Sequence, residues 1–260
     1  MKTALITGAS SGIGEKFARE LASRKTDLVL VARSQSKLEQ LATELSNTYQ
    51  VKTEVIVKDL TEATARQAVF DAVQAKGLSI DLLINNAGFG DYGAFGDRSL
   101  SKQMTMVQLN IMALVELTGL FLPLMQQRSS GAIINLSSIA GFQPIPYMSV
   151  YAASKAFILN FSEALWAENK DRGVKILAVC PGTTESKFYD RADFPESATV
   201  LNPMTMASAE KIVREALKAL DKGQSTVVAG GFTNHIIVNL PRLMPRDLLV
   251  NVVGKQFKNI

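Results

Sequence analysis

A single cysteine, Cys180, excludes an internal disulfide, and a single histidine, His235, cannot build a metal site with it at any usual ligand spacing. Metal catalysis is therefore not expected. The chain also lacks repeats, low-complexity tracts and long charge runs. Its formal charge of +4 comes from scattered basic residues without an aromatic-basic binding pattern, so no nucleic-acid partner is expected. Met1 is followed almost at once by the strand-like Ala4-Leu5-Ile6-Thr7, which leaves no room for a cleavable targeting segment; the expected location is cytoplasmic. Cys180, after Leu177-Ala178-Val179, reads as a small buried residue, His235 as a surface histidine, and Trp166 as helix packing or a subunit contact.

The 260 residues, 47% of them apolar, suit one domain spanning residues 1–260 with a large core. Short β-type runs recur at Ala4–Thr7, Leu28–Ala32, Val55–Val57, Leu82–Ile84, Ala132–Leu136, Ile176–Val179 and Thr226–Ala229. Between them lie helical patterns such as Gly14–Ser23, with Phe17, Ala18, Leu21 and Ala22, and Lys37–Leu45, with Leu38, Leu41 and Leu45. This alternation predicts an α/β fold: a Rossmann-like, doubly wound parallel sheet of about seven strands with helices on both faces. Ligands then bind outside the carboxyl ends of the strands, where the strand order reverses. The one extended interruption, residues 186–208, carries Phe188, Tyr189, Phe194, Pro195, Pro203, Met204 and Met206 and is expected to wall a substrate pocket.

Tyr151 and Lys155 stand four residues apart, on one face if Tyr151-Ala152-Ala153-Ser154-Lys155 is helical. A nearby cation favours phenolate, so such a pair can work as general acid or base. Upstream, Ile133-Ile134-Asn135-Leu136-Ser137-Ser138 reads as a buried strand delivering hydroxyls at its carboxyl end. In this combination the sequence resembles the short-chain dehydrogenase/reductase family, over nearly the whole chain. The resemblance implies a catalytic set of Asn110, Ser138, Tyr151 and Lys155. Ser138 stabilises a carbonyl oxygen, Tyr151 supplies the proton, Lys155 tunes Tyr151 and holds a ribose, and Asn110 helps hold a proton-relaying water. Ser137 is the alternative to Ser138. Asn110 should also disturb the regularity of its own helix.

The cofactor elements follow the same order. Gly8, Ser10, Ser11, Gly12, Ile13 and Gly14 form a glycine-rich turn between the first strand and first helix, where backbone amides and a helix amino terminus can meet a pyrophosphate. Its Gly-x-x-x-Gly-x-Gly spacing is similar to the family's own fingerprint. The second strand ends Ala32-Arg33, with no acidic residue to accept from a ribose hydroxyl and an arginine able to clamp a 2′-phosphate, so NADP(H) is the expected cofactor. Ser10, Ser34 and Lys37 are candidates to assist. The resemblance further implies adenine contacts from Asp59 and Leu60, with Asp59 also read as capping a helix starting near Thr61. It implies ribose contacts from Asn86, Ala87 and Gly88, and nicotinamide contacts from Pro181, Gly182, Thr184 and Ser186 beside Tyr151 and Lys155.

Residues 232–260 interleave apolar side chains with Arg242, Arg246, Lys255 and Lys258 and lack an uninterrupted apolar span of about twenty residues, so a bilayer crossing is not expected here. Packing on the pocket or a neighbouring subunit is favoured over resting on an anionic membrane. The expected activity is NADP(H)-dependent reduction of an apolar ketone or aldehyde, or the reverse. The 3-oxoacyl, steroid-like and general carbonyl substrates all remain open. A homodimer or homotetramer is implied through helices near residues 101–125 and 151–170. The rival readings are an NADP-binding regulatory protein and a membrane-peripheral protein.

Overall fold

The computed structural model describes residues 2–185, 188–195 and 206–258. Seven parallel strands form one sheet in the order β3-β2-β1-β4-β5-β6-β7. They are β1 (Thr3–Thr7), β2 (Asp27–Ala32), β3 (Thr53–Val57), β4 (Leu82–Asn85), β5 (Gly131–Leu136), β6 (Val174–Pro181) and β7 (Thr226–Ala229). Their central members are apolar on both faces because helices cover both, which is why the strands read as continuous runs rather than alternating patterns. One layer holds α1 (Gly12–Ser23), α2 (Gln35–Tyr49) and α8 (Ala209–Asp221), packed on Ile6, Leu28, Leu30 and Val179. On the other side, α3 (Ala65–Ala75) and α5 (Ala113–Gln127) pack on Leu5, Val29, Leu83 and Ile133, with Leu165 and Trp166 of α6 (Ser149–Glu168) joining them.

The order in which successive parallel strands are added reverses between β1 and β4, which opens a crevice beyond the carboxyl ends of the strands. A third apolar cluster lies there. It gathers Met106, Ile145, Met148 and Tyr151 with Leu249 and Val253 of α10 (Arg246–Lys258) and with Phe188 of the short α7 (Phe188–Arg191). The predicted packing of the carboxyl-terminal segment on the pocket is thus observed, through α9 (Phe232–Asn239) and α10.

Two local expectations are refined. The helix after β3 starts at Ala65, not near Thr61. Asp59 accepts instead from Thr61 N at 3.0 Å and Thr61 Oγ1 at 2.8 Å, a side-chain-closed turn that delays the helix. Around Asn110 the helix is irregular, as expected: α4 (Leu100–Val107) runs into a π-turn at Gln108–Met112 before α5. Trp166 is a packing residue, its Nε1 donating to Gly223 O at 2.9 Å with the Lys170 ammonium 3.9 Å from its ring centre.

Candidate active site

At the crevice floor the first turn is pinned from the neighbouring strand. Gly8 adopts φ +65°, open to glycine at little cost, and Gly14 presses so closely on the Gly8 carbonyl that no Cβ would fit between them. Asn86 Nδ2 donates to Thr7 O at 2.8 Å and Gly8 O at 3.3 Å, while Thr7 Oγ1 accepts from Asn86 N at 2.9 Å and Ala87 N at 3.0 Å. Ser11 occupies the N-cap position of α1 without a side-chain hydrogen bond to the helix backbone, so the helix's first amides keep their donor capacity. These features give a backbone cradle for an anion. Ser10, Ser11, Gly12 and Ile13 line it.

The cradle opens into a cavity of about 990 Å³. At one end stand Arg33, Lys58 and Asp59; Arg33 is largely exposed and only loosely paired with Asp59, at 3.4 Å. Burial raises the Asp59 carboxyl, but its Thr61 hydrogen bonds and the Arg33 charge outweigh that and hold it below the usual range. Leu60, Asn86, Ala87 and Gly88 line the middle, and Pro181, Gly182 and Thr184 the far end. Ser186 and part of the expected pocket loop lie outside the described residues.

Ser138, Tyr151 and Lys155 converge on this cavity. Ser138 leaves the end of β5, its side chain bonds the Tyr151 phenol, and its Oγ also accepts from Ala140 N at 3.1 Å. Ser137 is used elsewhere, donating to the Lys155 carbonyl at 2.7 Å, so Ser138 is the better-placed hydroxyl. Burial holds the Tyr151 phenol above its ordinary value, against the Ser138 hydrogen bond. The same desolvation pushes the Lys155 ammonium down to about 8. The expected lowering of Tyr151 is therefore not produced by the protein groups alone: desolvation outweighs the Ser138 hydroxyl, and the Lys155 ammonium stands 5.7 Å from the ring centre.

Asn110 is occupied by its neighbours. Its Oδ1 accepts from Phe89 N and its Nδ2 donates to Phe89 O and to Ser154 Oγ, each at 3.1 Å. It braces the Gly88-Phe89 turn beside Lys155, since a Cβ on Gly88 would meet Asn110 Oδ1 at 2.9 Å and Lys155 Nζ at 3.7 Å. The amide is thus a brace; no side-chain donor or acceptor on it points at the phenol.

Three features escaped sequence reasoning. Asn234 reaches from α9 to donate to Ala229 O at 2.8 Å and packs on Gly182. Lys58 joins Arg33 at the cavity end. A polar clasp also secures the pocket wall: buried Asp91 binds Arg98 Nε at 2.8 Å, Gln103 Nε2 at 2.6 Å and Lys102 Nζ at 2.5 Å. Arg98 and Lys102 then reach Asp193, at 2.5 and 2.7 Å. Tyr92 adds a second tie, donating through its amide to Ala192 O at 2.8 Å, with its ring 4.8 Å from Phe194. At the same wall, the apolar residues Phe188, Tyr189 and Phe194 did carry a sequence signal.

The glycine cradle, the free helix amides and the cations beyond β2 fit a dinucleotide with its pyrophosphate at α1. The family model described as short chain dehydrogenase matches residues 2–194. A very-long-chain 3-oxoacyl-CoA reductase of Anas platyrhynchos is 41% identical over 187 residues, covering 68% of this chain but 58% of that protein. One of Bos taurus with the same name is 34% identical over 245 residues, covering 90% and 72%. Among solved structures, a short-chain dehydrogenase from Sphingobium yanoikuyae in complex with NADPH superposes with a TM-score of 0.81 at 35% identity, covering 88% of this chain and 87% of that one. The chain belongs to the short chain dehydrogenase family, and it is an oxidoreductase whose cofactor is NAD(P)(H).

Proposed function

We infer that the chain is an NADP(H)-dependent carbonyl reductase acting on an apolar ketone, with a 3-oxoacyl thioester as the favoured class. The observation carrying this reading is the convergence of Ser138, Tyr151 and Lys155 on one cavity whose other end holds the glycine cradle, Arg33 and Lys58. When bound, the dinucleotide supplies the hydride to the carbonyl carbon and, once oxidised, a positive ring that favours phenolate. Ser138 donates to the carbonyl oxygen as negative charge grows on it, and Tyr151 passes its proton to that oxygen. Lys155 keeps its ammonium near the phenol and is suited to grip ribose hydroxyls. Arg33 and Lys58 suit a 2′-phosphate, and Ala32 offers no carboxylate to repel it.

Support for the substrate class comes from the wall: Phe89, Ile145, Met148, Phe188, Leu249 and Val253 surround the space beside Tyr151 and exclude water from it. The activity for which the duck and cattle relatives are named points the same way. Purified protein should consume NADPH with a 3-oxoacyl thioester faster than with small polar ketones; the opposite ranking overturns the substrate class, and no consumption with any carbonyl compound overturns the activity.

A homo-oligomer belongs to the same reading, supported by Leu100, Met104, Met112 and Phe157, exposed on the long helices. Light scattering at a single-chain mass would remove it.

A further inference from the structure

The carboxyl-terminal segment has two faces. Inward, Ile237, Leu249 and Val253 close the cavity. Outward, Phe232, Ile236, Leu240 and Leu243 recur at helical spacing along α9 and its following turn, with Phe232 80% and Leu243 82% exposed. Leu248 and Val252 extend this exposed apolar surface onto α10. Leaving side chains of this size in water is costly, and a contiguous apolar patch rimmed by charge marks an interaction surface.

The rim is basic. Arg242, Arg246, Lys255 and Lys258 stand against one acidic residue, Asp247, and none of the four cations has an ion-pair partner among the described residues. Leu240 and Val252 are at once exposed and part of the cavity lining, so the patch reaches the cavity.

We propose that this face docks the protein on an anionic lipid surface, apolar side chains in the headgroup boundary and the four cations against lipid phosphates, with the cavity mouth opening onto the bilayer. Charge complementarity selects this occupant. A second copy meeting the face by two-fold symmetry would bring the same uncompensated cations opposite themselves, whereas anionic headgroups neutralise them. An apolar substrate dissolved in the membrane could then enter without crossing water. Docking itself does not depend on the carbonyl-reductase reading.

The test is co-sedimentation of the full chain with vesicles of phosphatidylcholine alone or mixed with phosphatidylglycerol. Binding should favour the anionic vesicles and weaken as salt rises. Phe232→Asp with Leu243→Asp, both outside the cavity lining, should cut the partition coefficient by at least about tenfold. Arg242→Gln with Arg246→Gln should cut binding to anionic vesicles about fivefold per cation and flatten the salt dependence; this pair carries the test if the first does not fold. Absence of the chain from both pellets overturns the proposal. So does partitioning unchanged in the variants, or a fall in solution mass on Phe232→Asp/Leu243→Asp while the wild type stays off vesicles, which would make the face a contact between copies.

Discussion

Lys155 Nζ donates to the Leu136 carbonyl at 2.7 Å and lies 5.7 Å from the centre of the Tyr151 ring. The ammonium is thus tied to the last residue of β5, one turn of α6 away from the phenol it is meant to assist. Burial moves each group toward its neutral form: Lys155 down to about 8, Tyr151 upward. The site is held in a state where modest added charge decides which group carries the proton.

Lys155 ties the stability of the fold to pH. Its folded value of about 8 lies below the ordinary 10.5, so between those values the folded state binds fewer protons than the unfolded one. The burial cost is therefore full below about pH 8 and is relieved as pH rises through that window. Lys155→Met should stabilise the protein at pH 7, on the order of 1–3 kcal/mol, and the gain should shrink toward pH 10. NADPH affinity, measured by calorimetry, should weaken above about pH 8 in the wild type and show no such limb in Lys155→Met. A wild-type affinity flat across that range would mean the ammonium does not grip the cofactor.

Tyr151→Phe removes only the phenolic oxygen, and its ring still packs 5.2 Å from Phe188. The rate of the chemical step should fall about 10²–10⁴-fold with NADPH affinity nearly unchanged. Ser138→Ala should fall about 10²–10³-fold. Single-turnover kinetics read both, and a Tyr151→Phe enzyme running at wild-type speed would remove the proposed proton donor.

Arg33 is free enough to serve a phosphate, since its pairing with Asp59 is long and exposed. Arg33→Ala should lower kcat/KM for NADPH by about 10–100-fold while changing NADH little. Equal losses with both cofactors would reassign Arg33 to a structural role.

The Asp91 clasp separates stability from closure. Burial raises the Asp91 carboxyl, but Arg98 and Lys102 outweigh it and hold the group below the usual carboxylate range. Its stabilisation is then present above the ordinary carboxylate value and lost as pH falls through the lower folded one. Arg98→Ala should cost about 1–3 kcal/mol, because the buried Asp91 charge loses its two-pronged partner but keeps Lys102 and Gln103. Asp193→Asn, at the exposed end, should leave Tm within a degree or two but raise substrate KM about 2–5-fold by loosening the wall. A KM unmoved in Asp193→Asn would show that the tie does not hold the pocket.

The strands, the layer arrangement and the convergence of Ser138, Tyr151 and Lys155 were legible because each is local: apolar runs, helical spacing and a glycine turn are written in consecutive residues. Asp91 and Asp193 were not, because their meeting is made by tertiary folding across about a hundred residues and charged residues carry no periodic signal. The Thr61 helix start failed for a related reason, since a side-chain turn at Asp59 competes with the helix at no cost visible in composition. The direction of the Tyr151 shift also lay beyond sequence, which gives the Lys155 spacing but not the burial that opposes it.

Thr7 tests whether the cofactor cradle depends on a single hydroxyl. It is buried at the end of β1, donating to Ile84 O at 3.3 Å and accepting from the amides of Asn86 and Ala87. Asn86 N has a second acceptor in Ile84 O, but no other acceptor is described for Ala87 N. Thr7→Val keeps the shape and strands that amide, so it should cost about 2–4 kcal/mol and lower NADPH affinity as Gly8 and Asn86 lose their register. Thr7→Ser keeps the oxygen and should cost under about 1.5 kcal/mol with affinity retained. The pair isolates the hydrogen bonds from the packing: if the serine variant melts lower and binds NADPH more weakly than the valine variant, the methyl rather than the hydroxyl holds the turn.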